Sequence, residues 1–156
     1  MLDLGVPAYM IRATVLGVMA QRLVRTLCPH CKVEEPVDKE AWSLLTKPFK
    51  VKPPQRFYPP KGCLECRDTG YLGRMGIYEI LPMTAKVQSK IRGEVELDEI
   101  RSAGFEEGMR TLRLSGAQKV GSGLTTVAEI LRVAPINPNS ISLGECPPMW
   151  WNTPPS

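Results

Sequence analysis

From residue 8 to residue 27, apolar side chains recur near helical spacing at Ile11, Val15, Leu16, Val18, Met19, Leu23 and Leu27. The pattern predicts one helix over 8–27. Pro7 suits its first turn, and Arg22 and Arg25 suit the negative end of its dipole. Its apolar coverage is wide, which predicts a buried helix rather than a surface one. A shorter apolar group at Trp42, Leu44 and Leu45 predicts a helix within 36–47. Pro48, Pro53, Pro54, Pro59 and Pro60 make residues 47–61 a stiff connector, since neither a helix nor a central strand accepts them. Residues 68–73 read as a turn, and Ile77, Tyr78, Ile80 and Leu81 predict a strand over 74–81, ended by Pro82. Helices are predicted over 84–92, 97–103 and 105–120, the last stopped at Gly121. Thr126 with Glu129 three residues on fits a capping box, which opens a helix carrying Ile130, Leu131 and Val133 that stops near Pro135. Beyond Ile136 the chain turns Asn-, Pro- and Ser-rich without periodicity, and disorder is expected there, Trp150 and Trp151 included.

Charge changes this picture little. A net charge of +4, with basic residues scattered along the chain, offers no nucleic-acid arm. The apolar stretch 13–20 is too short to span a bilayer, which takes about 20 residues. Its basic residues follow the apolar run instead of preceding it, the reverse of a signal peptide. The expectation is a cytoplasmic chain with no transmembrane segment.

Cysteine changes it a great deal. Of five cysteines, four fall into two C-x-x-C pairs, Cys28/Cys31 and Cys63/Cys66. Two intervening residues let both sulfurs of a pair turn toward one point. Two such knuckles supply four thiolates, the donor set of a closed, structural tetrahedral Zn²⁺ site. The separation between the pairs, residues 32–62, exceeds the roughly 15–20 residues of common zinc ribbons. An iron–sulfur cluster or a redox dithiol are the other uses of such pairs. A redox C-x-x-C usually stands singly beside a βαβ pattern, which is not found here. His30, the only histidine, lies within the first knuckle and reads as a solvated residue between two ligands. Cys146 reads as a free thiol in the tail. These 156 residues contain no G-x-x-x-x-G-K-[ST] to cradle phosphates and no G-x-S-x-G nucleophile elbow. Alone, the chain is not expected to catalyse a reaction.

The run Leu16-Gly17-Val18-Met19-Ala20-Gln21-Arg22-Leu23-Val24-Arg25-Thr26-Leu27-Cys28-Pro29-His30-Cys31 resembles the type II secretion and type IV pilus-assembly ATPases, the GspE/PulE/PilB group. So do Gly62-Cys63-Leu64-Glu65-Cys66 with Thr69-Gly70-Tyr71, and Gly73-Arg74-Met75-Gly76-Ile77-Tyr78-Glu79. Glu107-Gly108-Met109-Arg110-Thr111-Leu112, Gly123-Leu124-Thr125-Thr126 and Glu129-Ile130-Leu131-Arg132-Val133 continue the likeness, which covers residues 1–134. The resemblance implies cytoplasmic, ring-forming, typically hexameric ATPases. These dock peripherally on an inner-membrane platform protein and bind ATP and Mg²⁺ through motifs upstream of the stretch matched here. It implies an α/β chain, mainly helical, comprising the last part of a RecA-like P-loop ATPase domain (1–27), a tetracysteine zinc subdomain (28–73), a C-terminal strand and helical region (74–134) and a non-family tail (135–156). It also implies that Cys28, Cys31, Cys63 and Cys66 are zinc ligands, and that Arg74 and Arg22 stand near nucleotide phosphates or a subunit interface. A planar, permanently charged guanidinium suits such a place.

Met75 stands where threonine is commoner in that group, and the tail after Ile136 does not resemble it. The expectation is therefore a truncated product or fragment acting as a zinc-stabilised assembly module. Two rivals are a stand-alone zinc-ribbon adaptor for protein or nucleic acid, which calls for a concentrated basic face, and a non-functional gene remnant.

Overall fold

A computed structural model of the chain describes residues 4–92 and 96–136. Its centre is an antiparallel ribbon of two strands, β1 (Gly17–Leu27) and β2 (Tyr71–Pro82). Gly17 pairs with Pro82 and Arg25 with Arg74, and the ladder ends at Leu27 opposite Tyr71. Between Arg25 and Leu27 the register shifts, so that Leu72 and Gly73 face Thr26 alone. Gly73 supplies the left-handed φ of +82° that such a bulge requires. The described residues also form six α-helices: α1 (Ala8–Thr14), α2 (Lys39–Thr46), α3 (Ala85–Lys90), α4 (Leu97–Glu106), α5 (Leu112–Gly121) and α6 (Val127–Val133).

The single helix expected over 8–27 is corrected to α1 followed by β1. Val15 already has extended backbone, and the eleven residues of β1 satisfy their inner backbone groups on β2, a partner far away in sequence. Spacing along one segment carries no information about such a partner. Residues 17–23 are also exposed on both faces, so they lack the alternation that marks a half-buried strand. The helix expected over 105–120 is likewise corrected. Phe105 and Glu106 belong to the end of α4, Gly108 turns the chain at φ +90°, and Thr111 caps α5 by accepting the Leu114 N–H. The strand expected at 74–81 begins three residues earlier, where Tyr71 meets Leu27. The helices expected within 36–47, 84–92 and 97–103 are present as α2, α3 and α4. Most of the expected disordered tail, with Cys146, Trp150 and Trp151, lies outside the described residues.

One face of the ribbon carries the core. Val24 and Ile77 are fully buried against Ala117 and Val120 of α5, Ile130 of α6, and Trp42 and Leu45 of α2. Asp38 caps α2, accepting the N–H groups of Glu40 and Ala41. Trp42 drives its indole N–H onto the Val51 carbonyl at 2.9 Å, so the proline-rich connector is tied to the core by a satisfied polar contact as well as by burial. α5 and α6 cross closely at Gly116, where a Cβ would meet Ile130 at 2.5 Å.

Candidate metal centre

The chain leaves β1 at Leu27, makes a long excursion through residues 28–70, and re-enters the ribbon at Tyr71. Both knuckles stand at this open end. The excursion has little core of its own, so something must hold its ends. The Cys28 N–H donates to the Gly70 carbonyl at 2.9 Å, joining first knuckle to second. The second knuckle is a 3₁₀ turn, Leu64–Cys66, with Arg67 and Asp68 both left-handed after it. That path turns the Gly70 N–H onto Cys66 Sγ at 3.2 Å, beside the Cys63 N–H, also at 3.2 Å. Gly70 has a φ of +73°, and a Cβ there would lie 2.5 Å from Pro60. No other residue type fits that junction of knuckle, connector and strand.

The four sulfurs converge, all within 4.8 Å of one another. Cys28 and Cys63 are 3.9 Å apart, Cys31 and Cys66 3.9 Å, and Cys63 and Cys66 3.7 Å. A tetrahedron with metal–sulfur bonds of about 2.3 Å has edges of about 3.8 Å. These separations are far longer than a disulfide bond, about 2.05 Å, and the cysteines are free thiols. Cys28 and Cys66 are buried, while Cys31 and Cys63 face partly outward.

The electrostatics point the same way. Burial resists ionisation of Cys66, but the N–H groups of Cys63 and Gly70 outweigh it and bring the thiol to about 7. Cys31 is pushed up to about 12, chiefly by burial, against a lowering contact from the Gly62 backbone and with the neighbouring sulfurs adding to the rise. The cluster thus readily holds one negative charge, and four thiolates at this spacing need a cation. His30 is exposed, and the donors that converge are the four sulfurs.

The two arginines singled out in the sequence are not brought together. Arg22 pairs with Ile77 and Arg74 with Arg25, an odd number of residues apart on β1, so they lie on opposite faces of the ribbon. Arg22 is exposed, and its Nη1 donates to the Gln21 carbonyl. Arg74 is exposed and lines an open groove of about 550 Å³ with Arg25, Thr69, Tyr71 and Gly73.

Sequence reasoning missed the residue that organises this end of the ribbon, Glu129 of α6. Its side chain is 1% exposed and accepts from Arg25 N, Nε and Nη2 at 3.0, 3.1 and 2.8 Å, and from Arg132 Nε and Nη2 at 3.2 and 2.8 Å. The Arg25 guanidinium lies 4.1 Å from the Tyr71 ring centre, and the Tyr71 hydroxyl meets Thr126 Oγ1 at 3.0 Å. The expected capping box is half present. Thr126 accepts the Glu129 N–H, but the Glu129 carboxylate turns to the arginines. A buried carboxylate needs such partners, yet nothing in local spacing points from residue 129 to residue 25.

The family model described as Type II/IV secretion system protein matches residues 1–132. The chain belongs to this family. Its relatives include the type IV pilus assembly ATPase TfpB of Acinetobacter baylyi, 44% identical over 134 residues, which cover 86% of this chain and 23% of the relative. The type II secretion system protein E of Klebsiella pneumoniae is 39% identical over 132 residues, covering 84% of this chain and 25% of that protein. PilB of Pseudomonas aeruginosa, a type IV pilus assembly ATPase, is 40% identical over 135 residues, covering 85% and 23%. The chain spans about a quarter of the length of the curated relatives it matches. Among the described residues of this family member, no helix is long and apolar enough to cross a membrane.

Proposed function

We propose that this chain is the zinc-stabilised, C-terminal assembly portion of a secretion- or pilus-type ATPase. The observation that carries the reading is the convergence of Cys28, Cys31, Cys63 and Cys66 at tetrahedral spacing, in a member of a family whose relatives are named as such ATPases. Bound zinc would supply a closed, redox-inert cross-link between the two knuckles. Cys66 would be its best-prepared ligand, because two backbone N–H groups already point at its sulfur. Residues 1–27, β1 included, would then be the last part of a RecA-like domain, residues 28–73 the metal subdomain, and residues 74–134 the strand and helical region that adds surface to a cytoplasmic hexameric ring at an inner-membrane platform.

Hydrolysis of ATP needs a phosphate-cradling loop and Mg²⁺ ligands, and the 156 residues contain no P-loop motif. In this reading the chain therefore acts with an ATPase core rather than by itself. Arg74 is proposed to meet nucleotide phosphate or a neighbouring subunit from its groove. Arg22, on the opposite face, would serve a different contact. The Arg25 guanidinium beside the same groove is engaged by Glu129, which leaves Arg74 as the groove's available fork.

The test is metal analysis of the reduced, purified chain together with a phosphate-release assay. The reading expects one zinc per chain, loss of folded structure on chelation, and no ATP turnover above buffer. A chain that holds no zinc, or that hydrolyses ATP alone, contradicts it. The rival adaptor reading predicts salt-sensitive binding to nucleic acid. The scattered basic residues do not favour it.

A further inference from the structure

The turn that joins α5 to α6 contains Gly123, Leu124, Thr125 and Thr126, and each of the four is held by a segment flanking the cysteines. Lys32 Nζ donates to the Gly123 carbonyl at 3.1 Å. The Leu27 N–H donates to the Leu124 carbonyl at 2.8 Å. Thr125 is 1% exposed, and its hydroxyl donates to the Arg25 carbonyl at 2.8 Å. The Thr126 hydroxyl meets the Tyr71 hydroxyl at 3.0 Å.

Three of these holders stand next to the metal-binding groups. Leu27 precedes Cys28, Lys32 follows Cys31, and Tyr71 follows Gly70, whose N–H lies on Cys66 Sγ. The Lys32 N–H also closes the first knuckle on the Cys28 carbonyl at 3.2 Å. Its ammonium lies 5.1 Å from the centre of the Tyr58 ring, within reach of a cation–π attraction. Tyr58 in turn packs so closely on Gly123 that a Cβ there would meet it at 2.7 Å. One lysine thus ties the first knuckle, the proline-rich connector and the α5–α6 turn together.

We infer that residues 123–126 are the outer support of the metal centre, with Lys32 and Tyr71 as positioning residues, so that the metal and α6 are held or released together. The inference rests on the zinc reading above. A four-thiolate centre keeps its metal only while both knuckles keep their mutual position, and local opening of either one exposes the ligands to a competitor. The turn touches both, through Leu27 and Lys32 on one side and Tyr71 on the other. The coupling is reciprocal: whatever the docked turn adds to metal binding, the metal adds to docking of the turn. α6 follows the turn directly, so loss of the metal loosens the helix whose Glu129 fixes Arg25.

The experiment loads the full, reduced chain with Zn²⁺, adds excess chelator at pH 7 and follows zinc release, with amide exchange measured on the loaded proteins. Lys32→Met removes the ammonium and keeps the stem. Tyr71→Phe removes the hydroxyl and keeps the ring beside Arg25. Each should speed zinc release by at least roughly tenfold, the scale of losing a group that orients a metal ligand. The amides of Leu27 and Glu129, which report the turn and the start of α6, should exchange faster in both. Lys32→Arg keeps a cationic donor on a long stem and should restore slow release. Val87→Ala is the control. Val87 is fully buried on α3, beyond Pro82 at the opposite end of the ribbon, so its truncation weakens packing without touching the turn and should leave the release rate unchanged.

A parent chain that takes up no zinc overturns the metal reading, and this coupling with it. A parent that holds zinc and releases it no faster after Lys32→Met overturns the coupling alone, and Tyr71→Phe decides the same point should the lysine variant fail to fold. Equal acceleration by Val87→Ala also overturns it, since release then follows overall stability rather than the turn. So does a Lys32→Arg chain that loses zinc as fast as Lys32→Met.

Discussion

Replacing Glu129 by glutamine removes one negative charge and leaves the side chain's shape almost unchanged. The carboxylate now accepts five N–H contacts from Arg25 and Arg132. The amide keeps one acceptor oxygen and turns an NH₂ group toward guanidinium donors. Breaking a buried ion pair typically costs about 3–5 kcal/mol. Here the arginine side chains are 45% and 60% exposed and can rehydrate, which lowers the expectation to about 2–4 kcal/mol. The carboxyl's own titration gives a similar size. Burial pushes it up, but Arg132 and Arg25 outweigh burial and hold it at about 2, below its ordinary 4.5. A depression of that size corresponds to about 3 kcal/mol of folding stability. A depressed carboxyl contributes fully above its unfolded value and loses the contribution as pH falls through its folded value. The gap between parent and Glu129→Gln should therefore be constant from pH 6 to pH 8, where the thiolates keep their metal, and the carboxyl's own titration would close it only as pH falls from 4.5 toward about 2. Urea unfolding of the metal-loaded proteins, followed by circular dichroism, measures it. A cost below about 1 kcal/mol, or a gap that changes between pH 6 and pH 8, refutes the reasoning.

Gly70→Ala forces a Cβ against Pro60 in a left-handed backbone and should displace the N–H from Cys66. Chelator competition should show metal affinity weakened by at least roughly tenfold, the scale of losing a group that orients a metal ligand. Trp42→Phe opens space in the core and leaves the Val51 carbonyl without its donor. A loss of about 1–3 kcal/mol is expected in denaturant unfolding. Metal uptake must release protons, because Cys31 stays protonated well above neutrality without a cation. Calorimetry at pH 7 in buffers of different ionisation enthalpy should report net proton release, and zinc affinity should rise with pH. A heat of binding independent of buffer contradicts this.

The features legible in the sequence are those that local chemistry decides. Two residues between cysteines make a knuckle wherever the chain goes next. Thr126 announces a helix start because a cap acts over three residues. The proline-rich segment could only be a connector. β1 was hidden because its evidence is nonlocal. Its partner comes after the whole metal excursion, and its first seven residues show neither helical nor strand alternation in their burial. The break between α4 and α5 was written in Gly108 and Thr111, but the apolar spacing of Met109, Leu112 and Leu114 runs across it. Spacing in the sequence marks all four cysteines as ligands, yet it cannot reveal that Gly70 holds both knuckles or that Glu129 reaches Arg25 across the fold. Those relations exist only once the ribbon has formed.

The account stands or falls on a metal cross-linking the two ends of the 28–70 excursion. Native mass spectrometry of the freshly purified, reduced chain, alongside the Cys28→Ser and Cys66→Ser variants, is the most direct test. One zinc per parent chain, absent from both variants and accompanied by loss of their folded spectrum, is the predicted result. A metal-free parent chain that keeps its fold, or variants as structured as the parent, would contradict it.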